Sequence, residues 1–162
     1  MKRFINHVDH VAYISRWETV EANAARLEAL TDAKLQRTDR PHVGVVLYID
    51  WSAGLEIVAP MPERTEQNES LHDLLDNRGE GVLAVIYGVE DLDAHKEKLE
   101  AKGFEISPLW ESVHPAGSWS ERLLVRERHG PVFMNTWLIY SQIDYRDGEI
   151  RFIEVEQETA HP

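Results

Sequence analysis

The chain has 162 residues, 43% hydrophobic and 28% charged, with a formal net charge of -12 and no cysteine. That size and balance suit one globular soluble domain, or two half-size modules sharing a sheet, and the acidic charge disfavours nucleic acid and anionic membrane surfaces as partners. Without cysteine, disulfides, thiolate chemistry and sulfur-ligated zinc are excluded, so a metal here would need His, Asp, Glu or water.

The start, Met1-Lys2-Arg3-Phe4, has no apolar stretch of signal-peptide length, and nowhere do about 18 apolar residues run together, so a cytoplasmic protein is expected. Phe4 to Ile14 is rich in β-branched and aromatic residues and predicts a strand. Trp17, Val20, Ala24, Leu27 and Leu30 then recur at spacings of three and four, the stripe of a helix that Ser15 is placed to cap. Thr31 to Arg40 is polar and opens a second strand. Pro41 sets off His42 to Asp50 as a third, and Leu55 to Pro60 forms a fourth after the turn residues Trp51-Ser52-Ala53-Gly54. Met61 to Asn68 reads as a linker, followed by a short helix over Glu69 to Asn77 that stops near Gly79.

The order then repeats. Val82 to Val89 predicts a strand, Asp91 to Lys102 a helix with Leu92 and Leu99 inward, and Phe104 to Ser112 a strand interrupted by Pro108. His114 to Gly130 is less regular, and holds either a loop with a helical turn or a strand around Leu123-Leu124-Val125. Val132 to Ile143 and Ile150 to Gln157 predict the last two strands, around the turn residues Asp147-Gly148. The expected fold class is therefore α+β: two βαβββ modules, about 4–60 and 80–157, joined by a linker and short helix over 61–79. Each module alone leaves one sheet face wet, so the two are expected to pair into one domain with a curved, cup-shaped mixed sheet. Glu56 to Glu154 spans 98 residues and His10 to Ala84 spans 74, so about 24 residues are inserted late in the second module, and residues 113–131 are the expected rim or lid.

Three side chains stand out. Glu56 in Leu55-Glu56-Ile57-Val58 and Glu154 in Phe152-Ile153-Glu154-Val155 are carboxylates within apolar strands, costly to bury unless paired or metal-bound. Alternation alone would point both to water; their recurrence at one place in both modules favours a site. His10 sits on the first strand at a matching place, and His10, Glu56 and Glu154 together suit Mn, Fe, Co, Ni, Zn or Mg with positions left open for substrate. Glu154 is also the candidate base, and Glu156 faces the same side of its strand. His72 and His95 read as surface groups, His42 as a residue at the mouth of a cup or in solvent, and Trp110, Trp119 and Trp137 as core aromatics or a stacking surface.

Val8-Asp9-His10-Val11-Ala12, Leu55-Glu56-Ile57-Val58-Ala59-Pro60 and the stretch from Leu71 through Arg78-Gly79-Glu80-Gly81 to Gly103 together resemble the vicinal oxygen chelate superfamily. That glyoxalase-like superfamily includes glyoxalase I, methylmalonyl-CoA epimerase, extradiol dioxygenases and the fosfomycin and bleomycin resistance proteins, and the Leu71–Gly103 stretch is most similar to the epimerases. The resemblance spans roughly residues 6–157. It implies a cup holding a divalent metal through His10, Glu56, residue 84 and Glu154, a lyase or isomerase activity on a small molecule, and a homodimer. Residue 84 is alanine, which binds no metal, so extradiol dioxygenase chemistry is set aside. Three outcomes stay open: a metal on three ligands, a replacement by His114 or His129, or a metal-free cup that binds or sequesters a small molecule. An interaction module with no ligand has the least support.

Overall fold

The computed structural model describes residues 7–111 and 123–145. Among them are eight strands and three helices: β1 His7–Ile14, α1 Val20–Thr31, β2 Gln36–Arg40, β3 Val45–Asp50, β4 Leu55–Pro60, α2 Glu69–Arg78, β5 Gly81–Gly88, α3 Leu92–Glu100, β6 Trp110–Glu111, β7 Leu123–Phe133 and β8 Thr136–Tyr145. The chain divides into two compact units, one over His10–Leu83 and the other formed by the rest.

In the first unit the strand order is β2-β3-β4-β1, with β4 antiparallel to β3 and parallel to β1. One face packs on α1: Val20 and Ala24 meet Val46, Tyr48, Ile57 and Ala59, with Tyr13, Trp17, Leu27 and Leu35 around them. Leu30, expected on the inward stripe, is 73% exposed, because the apolar surface ends one turn before the helix does. The start of α1 also departs from expectation. Thr19 is its N-cap, and the Ser15 hydroxyl turns instead to the Glu80 carboxylate at 2.9 Å. Strand β3 begins later than its apolar run, since Pro41–Val43 forms a single 3-10 turn that ends at Gly44 in the left-handed region, φ 65°.

The expected linker is pinned. Asn68 is fully buried; its Nδ2 donates to the carbonyls of Gly44 at 2.9 Å and Glu63 at 3.0 Å, and its Oδ1 accepts from Thr65 N at 2.8 Å. His72, read as a surface group, is half-buried with Nε2 2.9 Å from the Met61 carbonyl. A buried amide with four backbone partners, the Met61 carbonyl being the fourth at 3.5 Å, supplies the order that composition would not reveal.

In the second unit the order is β5-β8-β7-β6, with β8 parallel to β5. Asp91 caps α3 by accepting from the N–H groups of Asp93 and Ala94, both at 3.0 Å, and Gly103 ends that segment at φ 87°. Of the strand expected over Phe104 to Ser112, Trp110–Glu111 forms β6, and the described part of the irregular stretch, from Leu123, belongs to β7, which also absorbs Val132 and Phe133. The hairpin turn is Met134-Asn135, both at positive φ (49° and 61°), the backbone a two-residue turn needs to match strand twist. The strand expected over Ile150 to Gln157 lies outside the described residues.

Candidate functional site

Strand alternation decides which face carries the site. Tyr13 of β1 and Ile57 and Ala59 of β4 point into the α1 core, so His10, Ala12 and Ile14, and Glu56 and Val58, point to the opposite face. The parallel register places Ala12 beside Glu56. His10, two residues earlier on the same face, brings Nε2 to 3.3 Å from Glu56 Oε2. The two side chains are only 4% and 13% exposed, so this is a largely dehydrated His–carboxylate pair rather than two solvated groups. The environment strengthens its electrostatics and makes each partner costly to remove.

A third side chain completes the surroundings of the pair, one with no motif to announce it. Trp51, in the β3–β4 turn, lies edge-to-face against His10, with ring centroids 5.4 Å apart and planes at 70°. The turn is ordered by Asp50. Its Oδ1 accepts from Ser52 N at 2.8 Å, Ser52 Oγ at 2.7 Å and Ala53 N at 3.1 Å, and its Oδ2 accepts from Lys34 N at 2.7 Å. Burial acts to raise the Asp50 carboxyl, but the hydrogen bonds from Lys34, Ser52 and Ala53 outweigh it and hold the group below its ordinary value. Gly54 closes the turn, and its carbonyl takes the N–H of Val11 at 3.0 Å, next in sequence to His10. A polar turn sequence signals only a reversal of the chain, which is why Trp51 was read as turn material.

Among the described residues the second unit offers no matching pair. Val85, Ile86 and Gly88 of β5 lie beside Leu138, Ile139 and Ser141 of β8, as Val11, Ala12 and Ile14 lie beside Leu55, Glu56 and Val58. The backbone bond Val89 N to Ser141 O repeats Ser15 N to Val58 O, both 2.9 Å. In this register Ala84 stands for His10 and Ile139 for Glu56. The strand in the place of β4 is thus β8, and Ile139 lies beside Ile86 as Glu56 lies beside Ala12. Glu154, Glu156, His114, Trp119 and His161 lie outside the described residues. His129 is exposed on β7, its ring 5.9 Å from that of Trp137, while His42 and Trp110 are exposed. His95 stacks on Tyr140 at 4.5 Å, and burial, with Lys98 and Lys102 nearby, lowers its pKa below the ordinary value.

Among the described residues the divalent metal implied by the resemblance does not find its full donor set. Among the described residues no three His, Asp or Glu side chains converge on one point; His10 and Glu56 supply two donors, and Ala84 and Ile139 none.

These elements define an α+β glyoxalase-like fold. Among solved structures, methylmalonyl-CoA epimerase from Mycobacterium tuberculosis matches with 16% identity over 88% of this chain and 91% of its own, at a TM-score of 0.62. A variant of the Streptomyces coelicolor epimerase in complex with 2-nitronate-propionyl-CoA matches with 16% identity over 85% and 97%, at 0.60. A hypothetical protein from Bacillus halodurans matches with 13% identity over 83% and 92%, at 0.62. At such identities the likeness is one of fold. No protein-family model and no curated protein matches the chain. Among the described residues no helix is long and apolar enough to cross a membrane.

Proposed function

We propose that the chain is a small-molecule enzyme of the isomerase or lyase kind, acting at a carbon next to a carbonyl or vicinal oxygens, with His10 and Glu56 as its working pair. The observation that supports it is the dehydrated His10–Glu56 contact on the sheet face away from α1. A carboxylate in such a place is a competent base for an acidic C–H, and an imidazole 3.3 Å away holds it in orientation and relays the proton. The fold is shared with isomerases that act on a CoA thioester, which makes 2-substituted acyl-CoA thioesters the first substrates to test. With this go the expectations of a single two-module domain and a cytoplasmic homodimer, which rest on the sequence.

Should a divalent cation (Mn, Fe, Co, Ni, Zn or Mg) take part, His10 and Glu56 would hold it with Glu154 as third donor, and it would supply Lewis-acid polarisation of the substrate oxygen. No step above depends on it. The experiment is proton exchange in deuterium oxide, followed by NMR at the α-carbon of acyl-CoA thioesters and 2-keto acids, with metal content measured on the same samples. Exchange that falls on the order of 100- to 10,000-fold in Glu56→Gln is expected. Exchange unaffected by Glu56→Gln and His10→Ala overturns the assignment.

A second reading, a protein that binds or sequesters a small molecule without turning it over, is favoured by Ala84 and Ile139, which leave the second unit without an acid, base or metal donor at the corresponding positions. Tight binding of a compound that is never altered would select it.

A further inference from the structure

We propose that Trp51 and Asp50 are positioning residues for His10: Trp51 fixes the rotation of the imidazole so that Nε2 faces Glu56, and Asp50 fixes Trp51. This rests on His10 being a working group of the site. An imidazole held by one contact rotates about its Cβ–Cγ bond, which carries Nε2 away from the carboxylate and brings the Cε1–H into its place. Here two neighbours constrain it, Glu56 Oε2 at 3.3 Å from Nε2 and the indole of Trp51 at 5.4 Å and 70°. Aromatic pairs in this tilted arrangement attract through the quadrupoles of their rings, which gives the contact a direction.

Trp51 is itself on a four-residue turn, where a large side chain would ordinarily sample several rotamers and the backbone several turn forms. Asp50 removes that freedom. One carboxylate oxygen gathers the backbone N–H groups of Ser52 and Ala53 with the Ser52 hydroxyl, and the other takes the N–H of Lys34 from the connection after α1. At the far end of the turn, Gly54 adopts the left-handed φ of 65° and receives Val11 N–H. The turn therefore grips β1 twice around His10, once through the backbone of the next residue and once through the ring. A path of direct contacts runs from Asp50 to the turn, to Trp51 and Val11, and to His10.

The test reads His10 without needing a substrate. Imidazole resonances of His10, assigned by comparison with His10→Ala, are recorded for Trp51→Phe, Trp51→Ala, Asp50→Asn and Asp50→Ala, with circular dichroism as the check on folding. The expected result is that Trp51→Ala broadens the His10 signals, over and above the shift that loss of the indole ring current produces by itself, while Trp51→Phe leaves them sharp. Asp50→Ala should reproduce the effect of Trp51→Ala on His10, and Asp50→Asn, which keeps one accepting oxygen and loses the other, should fall between. If Trp51→Ala folds and leaves the His10 resonances as sharp as in the unmodified protein, the positioning role is overturned; if only the Asp50 variants leave them sharp, Asp50 is removed from it. In the exchange assay Trp51→Ala should lower kcat on the order of 10- to 100-fold with KM little changed, since misplacement rather than lost binding is the cause. Failure of exchange in the unmodified protein bears on the proposed function and leaves the NMR result standing.

Discussion

The Glu80 carboxylate takes the Ser15 hydroxyl at 2.9 Å across 65 residues of chain, and so ties the residue before β5 to the end of β1. The same oxygen, Oε1, accepts from Arg16 N at 2.8 Å, from Asn23 Nδ2 at 3.3 Å and from the Thr19 hydroxyl at the N-cap of α1. Arg16 completes the junction by donating from Nη2 to the Leu75 carbonyl in the last turn of α2, at 3.0 Å. One acceptor thus gathers the Thr19 side chain at the N-cap, the Asn23 amide one turn into α1 and the backbone that leads into the helix.

That junction makes acid sensitivity specific. The hydrogen bond from Thr19, then that from Arg16 N, holds the Glu80 carboxyl below its ordinary value. A group depressed in the folded state stabilises above its unfolded pKa, and that contribution fades as pH falls toward the folded pKa. Glu80→Ala is expected to cost about 1 kcal/mol at neutral pH, at the modest end because the carboxylate is largely exposed. Urea unfolding of both proteins, repeated well below the ordinary glutamate range, should show the difference shrink; a constant difference would contradict the assignment.

Gly44 and Asn68 should be coupled. A Cβ at Gly44 would stand 2.6 Å from Asn68 Nδ2, at a backbone φ of 65°. Gly44→Ala is expected to destabilise by about 2–3 kcal/mol, from left-handed backbone and clash together. Asn68→Ala removes the buried amide that ties together the Gly44 and Glu63 carbonyls and the Thr65 N–H, and costs about 2–3 kcal/mol. In the double variant the amide that clashes is gone, so the costs should sum to less than additive. Additive values from a chemical-denaturation cycle would show that the amide does not meet the new methyl.

His10→Ala leaves the Glu56 carboxylate in a largely dehydrated place without its partner, and is expected to lower stability by about 1–3 kcal/mol at neutral pH. Adding Glu56→Gln to His10→Ala should recover part of that loss, because a neutral amide is cheaper to bury than a lone charge. Melting temperatures of the two variants decide it, and a double variant no more stable than His10→Ala would show that Glu56 already escapes to solvent.

Ser141 is fully buried and its hydroxyl has no hydrogen-bond partner among the described residues. Ser141→Ala should therefore be neutral, or stabilising by up to about 1 kcal/mol, whereas most buried polar truncations destabilise. A loss above about 1 kcal/mol in urea unfolding would reveal a bond to that hydroxyl.

What could be read from the sequence is what short range dictates. The stripe Val20-Ala24-Leu27, the Asp91 cap of α3, the stop at Gly103 and the strand Leu55–Pro60 all follow from spacing, capping and turn chemistry within a few residues. His10 and Glu56 were legible as chemical groups for the same reason: a polar side chain in an apolar strand stands out locally. Their approach to 3.3 Å was not, because it depends on the parallel register of two strands some forty residues apart. Tertiary structure alone made Trp51 a neighbour of His10, turned Ser15 from a cap into a donor to Glu80, and pinned the Met61–Asn68 stretch through one amide. It also paired β5 with β8 in a register that puts Ile139 beside Ile86. Side-chain type and periodicity are local properties of the chain; register and pairing are set by which surfaces bury one another, and that is decided only when the whole fold is in place.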